Sequence, residues 1–209
     1  MIIDRVRKII FVRHQKTAST SIFRSLSLAE NSGFRSHQHL NHHIRPLTGK
    51  RYDGHHVPLY ELKNIYPKVY KNKDEYFKFG FTRNPWDRMV SAKEYLGKLK
   101  MKAYRGAANI DRLSMEEFLK RKDWDKMWLG LNLNTVDFCR GCDFIGKFEN
   151  LQEDFNLICD KIGVSPRQLP HANKTKRKSY IKYYTEETKQ IVAERFAKDI
   201  EYFGYEFGE

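Results

Sequence analysis

The 209-residue chain contains little cysteine and lacks long apolar runs. Its three cysteines, Cys139, Cys142 and Cys159, are too few for a disulfide framework in a chain of this length, which favours a reducing compartment. The apolar run at residues 9–12 is too short for a signal peptide, and no stretch approaches the roughly 20 apolar residues that cross a bilayer. We therefore expect a cytoplasmic protein with no membrane span.

Acidic residues are scarce relative to basic ones. The chain has 26 Asp and Glu against 39 Lys and Arg, which gives a formal net charge of +13. Such a charge attracts polyanions, including nucleic acid, acidic glycans and nucleotide phosphates. An ordinary soluble surface with surplus lysine is the alternative. Because the sequence has no helix-turn-helix, zinc-finger or RNA-recognition signature, we expect no specific nucleic-acid partner.

Apolar patterning predicts strands that alternate with helices. β-Branched and aromatic residues predict strands at residues 8–13, 76–82 and 143–148. A helical pattern follows each strand, with Asn84 as the cap of one helix and Gly163 as the end of another. A final helix is predicted over residues 185–203. This alternation predicts an α/β fold, a P-loop-like parallel sheet flanked by helices, as a single domain over residues 1–209.

Glycine is absent between Met1 and Gly33, although a strand-to-helix loop lies there. The loop and the start of its helix contain one lysine and several hydroxyl side chains: Lys16, Thr17, Ala18, Ser19, Thr20 and Ser21. Unpaired N–H groups at a helix N-terminus suit a phosphate or sulfate, and a lysine adds positive charge. The missing glycines argue against an ATP-type P-loop. A Ser/Thr-capped helix with a surface lysine is the alternative.

A second basic site follows the strand at residues 76–82. Arg83 ends this strand, Pro85 begins a helix, and Ser91 lies two turns further on. Ligands of open parallel sheets bind beyond the carboxyl ends of the strands, where Arg83 and Lys16 would both lie. Two anionic groups could then be held side by side. In the alternative interpretation, Arg83 forms a structural ion pair with an aspartate, either Asp87 or Asp74.

Four segments resemble landmarks of one enzyme family. Residues 11–22 resemble the 5′-phosphosulfate loop of sulfotransferases that use 3′-phosphoadenosine-5′-phosphosulfate (PAPS), and residues 83–92 resemble their 3′-phosphate motif. The similarity is greatest to the carbohydrate branch, which includes heparan sulfate 2-O- and chondroitin enzymes and bacterial relatives. Residues 144–151 and 199–205 resemble later landmarks of that branch. The resemblance covers most of the chain in the same order and implies the sulfotransferase fold.

The resemblance implies roles for individual residues. The loop residues Lys16, Thr17, Ala18, Ser19, Thr20 and Ser21 would hold the 5′-phosphosulfate of PAPS, and Arg83 and Ser91 the 3′-phosphate. A basic loop that includes Lys174, Thr175 and Lys176 would close over the adenine and the 3′-phosphate. The reaction would release 3′,5′-ADP and need no metal. Lys16 would also be catalytic, because fixed positive charge stabilises the departing phosphate oxygen.

A histidine is the expected general base, since histidine titrates near neutral pH and can accept a hydroxyl proton. His56 fits the family pattern H-x-x-[apolar]-x-x-[apolar], with Leu59 and Leu62 at the apolar positions, and His55 is the second candidate. A surface or capping histidine is the alternative. The acceptor would carry a hydroxyl group and could be an acidic glycan or a small metabolite. The sequence gives no signal for an oligomeric state.

Other sites and functions receive less support. Six histidines lie within residues 37–56, but without a helical pair or an HExxH motif they make a weak metal site. The Cys139-x-x-Cys142 pair has no second pair beside it, so incidental cysteines are expected. An atypical P-loop kinase lacks a metal-holding carboxylate after a strand, because Asp143 begins a strand. A polyanion-binding protein without catalysis is the alternative outside the enzymes, and it would show a steep salt dependence.

Overall fold

A computed structural model describes residues 1–27, 56–98, 109–121, 129–170 and 178–209. Within these residues, four strands form one sheet in the order β1-β2-β3-β4. The strands are β1 (Ile2–Asp4), β2 (Ile9–Val12), β3 (Phe77–Thr82) and β4 (Phe144–Lys147). The last three are parallel, with Phe11 beside Phe79 and Phe79 beside Phe144. The predicted α/β fold is confirmed.

Strand β1 was not predicted. It pairs antiparallel to β2, so the sheet is mixed rather than wholly parallel. The turn between the two strands is held by Asp4, whose carboxylate accepts the N–H groups of Val6 and Arg7 at 2.9 and 3.0 Å. Three residues are too few to show the alternation that marks a strand. The extra strand covers the edge of β2, which is buried on both faces.

Nine α-helices surround the sheet in the described parts of the chain. They are α1 (Ser19–Ser27), α2 (Leu62–Ile65), α3 (Pro67–Lys71), α4 (Pro85–Lys98), α5 (Met115–Lys120), α6 (Thr135–Phe138), α7 (Leu151–Lys161), α8 (Glu186–Arg195) and α9 (Ala197–Phe203). None of these helices is long and apolar enough to cross a membrane.

Local sequence signals set several helix ends. The Asn84 side chain accepts the N–H of Trp86 at 3.1 Å, which caps α4 as predicted. The helix predicted over residues 185–203 is instead two helices, α8 and α9, because Phe196 leaves helical geometry at φ −115° and ψ 28°. Phe196 is fully buried at this break, and its ring faces the guanidinium of Arg88. The break in the predicted helix therefore coincides with a contact between Phe196 and α4.

The core lies on both sides of the sheet. Helices α1 and α7 pack with Phe11 and Phe79 on one face. On the other face, Ile10 and Val12 pack with residues of α2, α3 and α6. Helices α4, α5 and α8 form a further cluster around Met89. This packing leaves the carboxyl ends of β2 and β3 next to the starts of α1 and α4.

Candidate active site

The loop after β2 has an unusual backbone for a segment without glycine. Lys16 and Ala18 both adopt left-handed conformations, at φ 66° and 58°. Such conformations are uncommon for non-glycine residues, and they concentrate where function or packing requires them. The Thr17 hydroxyl donates to the carbonyl oxygen of His14 at 3.0 Å, which holds the loop closed. Left-handed residues that alternate with residues of right-handed helical conformation are typical of main-chain nests that bind anions.

The hydroxyl residues of the loop differ in exposure. Thr17, Ser19 and Ser21 are buried, whereas Lys16, Ala18 and Thr20 are partly exposed. Helix α1 begins at Ser19, so its first N–H groups lie directly after the loop. A helix start beside a lysine suits an anionic group.

The Lys16 side chain rests on an aromatic ring of α4. Its Nζ lies 3.9 Å from the ring centroid of Tyr95, within cation–π distance. Tyr95 is one helical turn beyond Ser91 on α4, so the lysine reaches across to the second predicted motif. The ring and the charge limit the positions that the long lysine side chain can adopt.

Arg83 joins the two predicted motifs. Its Nη1 donates to the main-chain oxygen of Lys16 at 3.0 Å, and its guanidinium lies 3.8 Å from the ring centroid of Phe148. Its Nε and Nη2 both donate to Asp87, at 2.8 and 2.5 Å. The ion pair that the sequence left open is thus present with Asp87, and Asp74 instead pairs with Lys73. Arg83 contacts the loop at the same time.

Ser91 lies on the same face of α4 as Asp87, which forms the ion pair with Arg83. It is partly buried and lies four residues after Asp87, one turn along the helix. The residues predicted to hold a 3′-phosphate therefore belong to a single helix and the strand end before it.

His56 lies beside the end of β2. Its Nδ1 is 2.9 Å from the main-chain oxygen of Arg13. Because a carbonyl oxygen only accepts, Nδ1 carries the proton of the neutral ring and Nε2 is the basic nitrogen. This is the tautomer a general base at Nε2 requires. The second candidate, His55, and the basic loop residues Lys174, Thr175 and Lys176 lie outside the described residues.

Two buried residues beneath the loop were not singled out by the sequence analysis. His14 and Arg88 are both fully buried. His14 Nε2 lies 2.8 Å from the Gly130 oxygen and Nδ1 lies 3.0 Å from the Thr135 hydroxyl. Burial, aided by the charge of Arg88, holds the pKa of His14 well below its usual value. His14 is therefore a neutral structural histidine rather than a second base.

A sequence signal for this pair does exist. His14 falls between a buried strand and Lys16, and Arg88 falls between Trp86 and Met89 in α4. A charged residue among buried positions indicates a partner in the core, although the sequence cannot say which one.

The alternative metal and thiol sites gain little from the structure. Residues 37, 39, 42, 43 and 55 of the histidine cluster lie outside the described residues. Across the described ranges, no group of three or more His, Cys, Asp or Glu side chains is arranged to hold a metal. Burial and contact with Cys139 raise the pKa of the Cys142 thiol well above its usual value. A thiol in that state is a poor nucleophile.

Comparison with protein-family models identifies the chain. The Sulfotransferase family model matches residues 1–206. The chain belongs to the sulfotransferase family. Human carbohydrate sulfotransferase 9 is 27% identical over 183 residues, which cover 70% of this chain and 40% of that protein. Carbohydrate sulfotransferase 14 of Danio rerio is 25% identical over 178 residues, which cover 70% and 46%.

Two prokaryotic proteins are also similar to this sulfotransferase. An uncharacterized protein of Archaeoglobus fulgidus is 32% identical over 120 residues, which cover 54% of this chain and 87% of that protein. The crystal structure of a sulfotransferase from Alicyclobacillus acidocaldarius matches with a TM-score of 0.50 and 14% identity, covering 96% of both chains. The match supports the fold alone. The aligned part spans less than half the length of the two carbohydrate sulfotransferases.

The family and the fold inferred from the four sequence segments are confirmed. The roles of individual site residues stay predictions. The structure brings Lys16, Arg83 and Tyr95 into contact, and it places His56 at the end of the strand that leads into the loop.

Proposed function

We propose that this sulfotransferase moves the sulfuryl group of PAPS to a hydroxyl of a carbohydrate acceptor, which yields 3′,5′-ADP and a sulfate ester. The observation that carries the proposal is the hydrogen bond from Arg83 to the main-chain oxygen of Lys16. It joins the Arg83 side chain to the backbone of the loop that contains Lys16, and these two basic residues follow two adjacent parallel strands. A donor with anionic groups at both its 3′ and 5′ positions suits that pair.

The loop and the start of α1 would receive the 5′-phosphosulfate. Lys16 and the main-chain N–H groups around Ala18 and Thr20 supply positive charge and donors, as do the nearby Thr17, Ser19 and Ser21. These groups are fixed before the reaction begins, so they stabilise charge on the departing phosphate oxygen without reorganising.

The strand end and α4 would receive the 3′-phosphate. Arg83 and Ser91 are the proposed contacts, and the basic loop with Lys174, Thr175 and Lys176 would cover them. Asp87 already binds two donors of Arg83, so it orients the guanidinium and also competes with an incoming phosphate. Binding of the 3′-phosphate therefore requires Arg83 to share its donors between Asp87 and the ligand.

His56 would act as the general base. Its Nε2 accepts the acceptor hydroxyl proton while that oxygen forms a bond to sulfur and the bond from sulfur to the 5′-phosphate oxygen breaks. The bond from Nδ1 to Arg13 keeps the ring in the required tautomer and supports the positive charge it gains. The proton ends on His56 Nε2, the electron pair of the broken bond ends on the 5′-phosphate oxygen, and 3′,5′-ADP leaves without the help of a metal.

A carbohydrate acceptor is favoured by two observations. Two of the relatives are carbohydrate sulfotransferases by name. The net charge of +13 further favours an acidic glycan over a neutral small metabolite. We propose that residues 1–209 form one catalytic sulfotransferase domain.

Ligand-dependent melting would test the donor. A ligand present at about 100 times its dissociation constant stabilises the folded state by about 2.7 kcal/mol. We expect 3′,5′-ADP to raise the melting temperature and ATP with Mg²⁺ to leave it unchanged. Stabilisation by ATP alone would indicate a kinase. Stabilisation only by a sulfated polysaccharide, lost steeply with salt, would indicate a polyanion-binding protein.

Product analysis would test the transfer. Protein, labelled PAPS and a panel of acidic and neutral oligosaccharides are incubated, and mass spectrometry detects a sulfate ester. Lys16→Ala is the control and should abolish transfer and weaken 3′,5′-ADP binding. A labelled ester that forms equally with Lys16→Ala would contradict the proposed donor site.

A further inference from the structure

Arg88 is a charged residue with no solvent exposure. It lies on α4, and its whole side chain is buried. Its Nη1 is 2.9 Å from His14 Nδ1, its Nη2 donates to the Leu133 oxygen at 3.3 Å, and its guanidinium lies 4.6 Å from the ring centroid of Phe196. Its Nε has no hydrogen-bond partner among the described residues. Burial of an incompletely paired charge is costly, so a packing role alone explains it poorly.

His14 is the neutral partner that receives this charge. Arg88 Nη1 lies 2.9 Å from both ring nitrogens. Because Nε2 donates its proton to the Gly130 carbonyl, only Nδ1 has a lone pair that can accept from Arg88. The imidazole also stacks on Phe138 at 4.3 Å between ring centroids. Both ring nitrogens and one ring face are therefore engaged, and the ring has one permitted orientation.

Asp199 extends the network on the other side. It is fully buried and accepts the main-chain N–H groups of Thr135 and Val136, at 2.8 and 3.0 Å. Burial lowers the pKa of Arg88, and the charge of Asp199 opposes that shift. The same Thr135 contacts His14 through its hydroxyl, so Asp199 and His14 both bind this residue.

The position of this pair in the chain links it to both basic groups of the site. His14 lies two residues after the end of β2 and two residues before Lys16. Arg88 lies five residues after Arg83 and three before Ser91, on the same helix. No ligand can touch either side chain, because neither reaches solvent. The pair can act only through the backbone segments it joins.

We propose that His14 and Arg88 are positioning residues that fix the spacing between the donor loop and α4, so that one nucleotide engages both anion sites at once. This inference rests on the proposed function. When two anion sites are held at the separation of a ligand's two anionic groups, that ligand binds more tightly than a ligand with only one such group. Removing the contact between His14 and Arg88 should abolish that advantage and leave each separate anion site largely intact.

The test compares two ligands on each variant. Isothermal titration calorimetry measures the dissociation constants of 3′,5′-ADP and of 5′-AMP, which lacks the 3′-phosphate, and their ratio expresses the advantage of two-ended binding. In Arg88→Met, we expect the preference for 3′,5′-ADP to fall by about tenfold or more, while 5′-AMP binding changes little. Circular dichroism confirms that each protein is folded at the temperature of measurement.

Leu119→Ala is the matched control. Leu119 is fully buried on α5 in the same core cluster as α4, so its truncation destabilises the protein without touching the loop. It should leave the ratio unchanged. If Arg88→Met lowered stability and left the ratio at the wild-type value, Arg88 would be structural only and the inference would fail.

A second pair of variants covers the case in which Arg88→Met does not fold. His14→Gln keeps a donor that can reach the Gly130 oxygen, whereas His14→Leu removes it. We expect the ratio to fall in His14→Leu and to be partly restored in His14→Gln. Equal ratios in both variants and the wild type would overturn the inference.

The experiment separates this inference from the proposed function. A wild-type protein with no preference for 3′,5′-ADP over 5′-AMP would refute the donor and this inference with it. A wild-type preference that survives Arg88→Met and His14→Leu would keep the donor and refute only the positioning role.

Discussion

His56 Nδ1 lies 2.9 Å from the main-chain oxygen of Arg13, the first residue after β2. The contact joins a side chain to a backbone atom 43 residues earlier in the chain. It fixes the ring next to the loop that contains Lys16 and makes Nε2 the nitrogen that accepts a proton. The geometry therefore suggests a substitution that keeps the contact and removes the base.

His56→Asn is that substitution. The asparagine amide can still donate to the Arg13 oxygen, but it has no equivalent of Nε2. We expect turnover to fall by a factor of about 10² to 10⁴, as for the loss of a general base. Calorimetric binding of 3′,5′-ADP should stay near the wild-type value, because the donor site is untouched.

His55→Asn is the control for the base. If His56 is the base, His55→Asn should retain turnover. The opposite pattern, with activity kept by His56→Asn and lost by His55→Asn, would transfer the role to the second candidate.

The three parallel strands could be predicted from sequence because their signal is local. Ile9–Val12 is a continuous β-branched and aromatic run, as expected for a strand buried on both faces. The break between α8 and α9 has no such signal. Phe196 fits a helical apolar stripe, yet at the bend it packs into the core and faces the guanidinium of Arg88, a residue distant in the sequence. Local patterning does not contain that contact.

The candidate site likewise contains some residues that could be predicted from the sequence and others that could not. The lysine and hydroxyl residues of the loop are contiguous, so the sequence alone indicated an anion site at Lys16. His14 depends on Gly130 and Thr135, which lie 116 and 121 residues away. A single sequence cannot show which of its eight histidines will meet such partners. Buried polar networks are therefore the part of this site that required the structure.

Tyr95 should influence donor binding through Lys16. The Lys16 Nζ lies 3.9 Å from the Tyr95 ring centroid, and a partly exposed cation–π contact contributes about 0.5–1 kcal/mol. We expect Tyr95→Leu to weaken 3′,5′-ADP binding by about two- to fivefold, because the lysine loses its fixed position. Calorimetric titration would measure the change. Tyr95→Phe keeps the ring and should bind like the wild type, so equal losses in both variants would exclude the ring as the cause.

His14 should make the stability of the protein depend on pH. Its pKa is lowered in the folded state, so below its unfolded value of about 6.5 the unfolded chain binds a proton that the native protein does not. Stability should therefore be full above that pH and fall as the pH decreases towards the folded-state pKa. In this window the slope due to His14 approaches about 1.4 kcal/mol per pH unit.

Urea denaturation between pH 5 and 7.5 would measure this dependence. His14→Gln has no titrating ring, so its free energy of unfolding should change less steeply with pH than that of the wild type. The other histidines contribute to both curves and cancel in the difference. Parallel curves for the two proteins would show that His14 is not held neutral.

Gly80 on β3 should not tolerate a side chain. A Cβ atom at this position would lie 2.6 Å from the Cys139 sulfur and 3.3 Å from the Val12 oxygen. Both neighbours are buried, so Gly80→Ala forces a shift that costs about 1–3 kcal/mol in free energy of unfolding. Urea denaturation would measure the loss. The sulfur is the closer neighbour, so Cys139→Ala should recover part of it in the double variant.

Gly163 is the control position for the effect of Cys139→Ala on Gly80→Ala. Its φ is +68° and no neighbouring atom lies within 4 Å of the position that a Cβ atom would occupy, so Gly163→Ala is disfavoured by backbone conformation rather than by contact. The effects of Cys139→Ala and Gly163→Ala on the free energy of unfolding should add. Those of Cys139→Ala and Gly80→Ala should not add, because a Cβ atom at residue 80 would clash with the Cys139 sulfur. Strict additivity in both double variants would show that the Cys139 sulfur does not set the requirement for glycine in the strand that leads to Arg83.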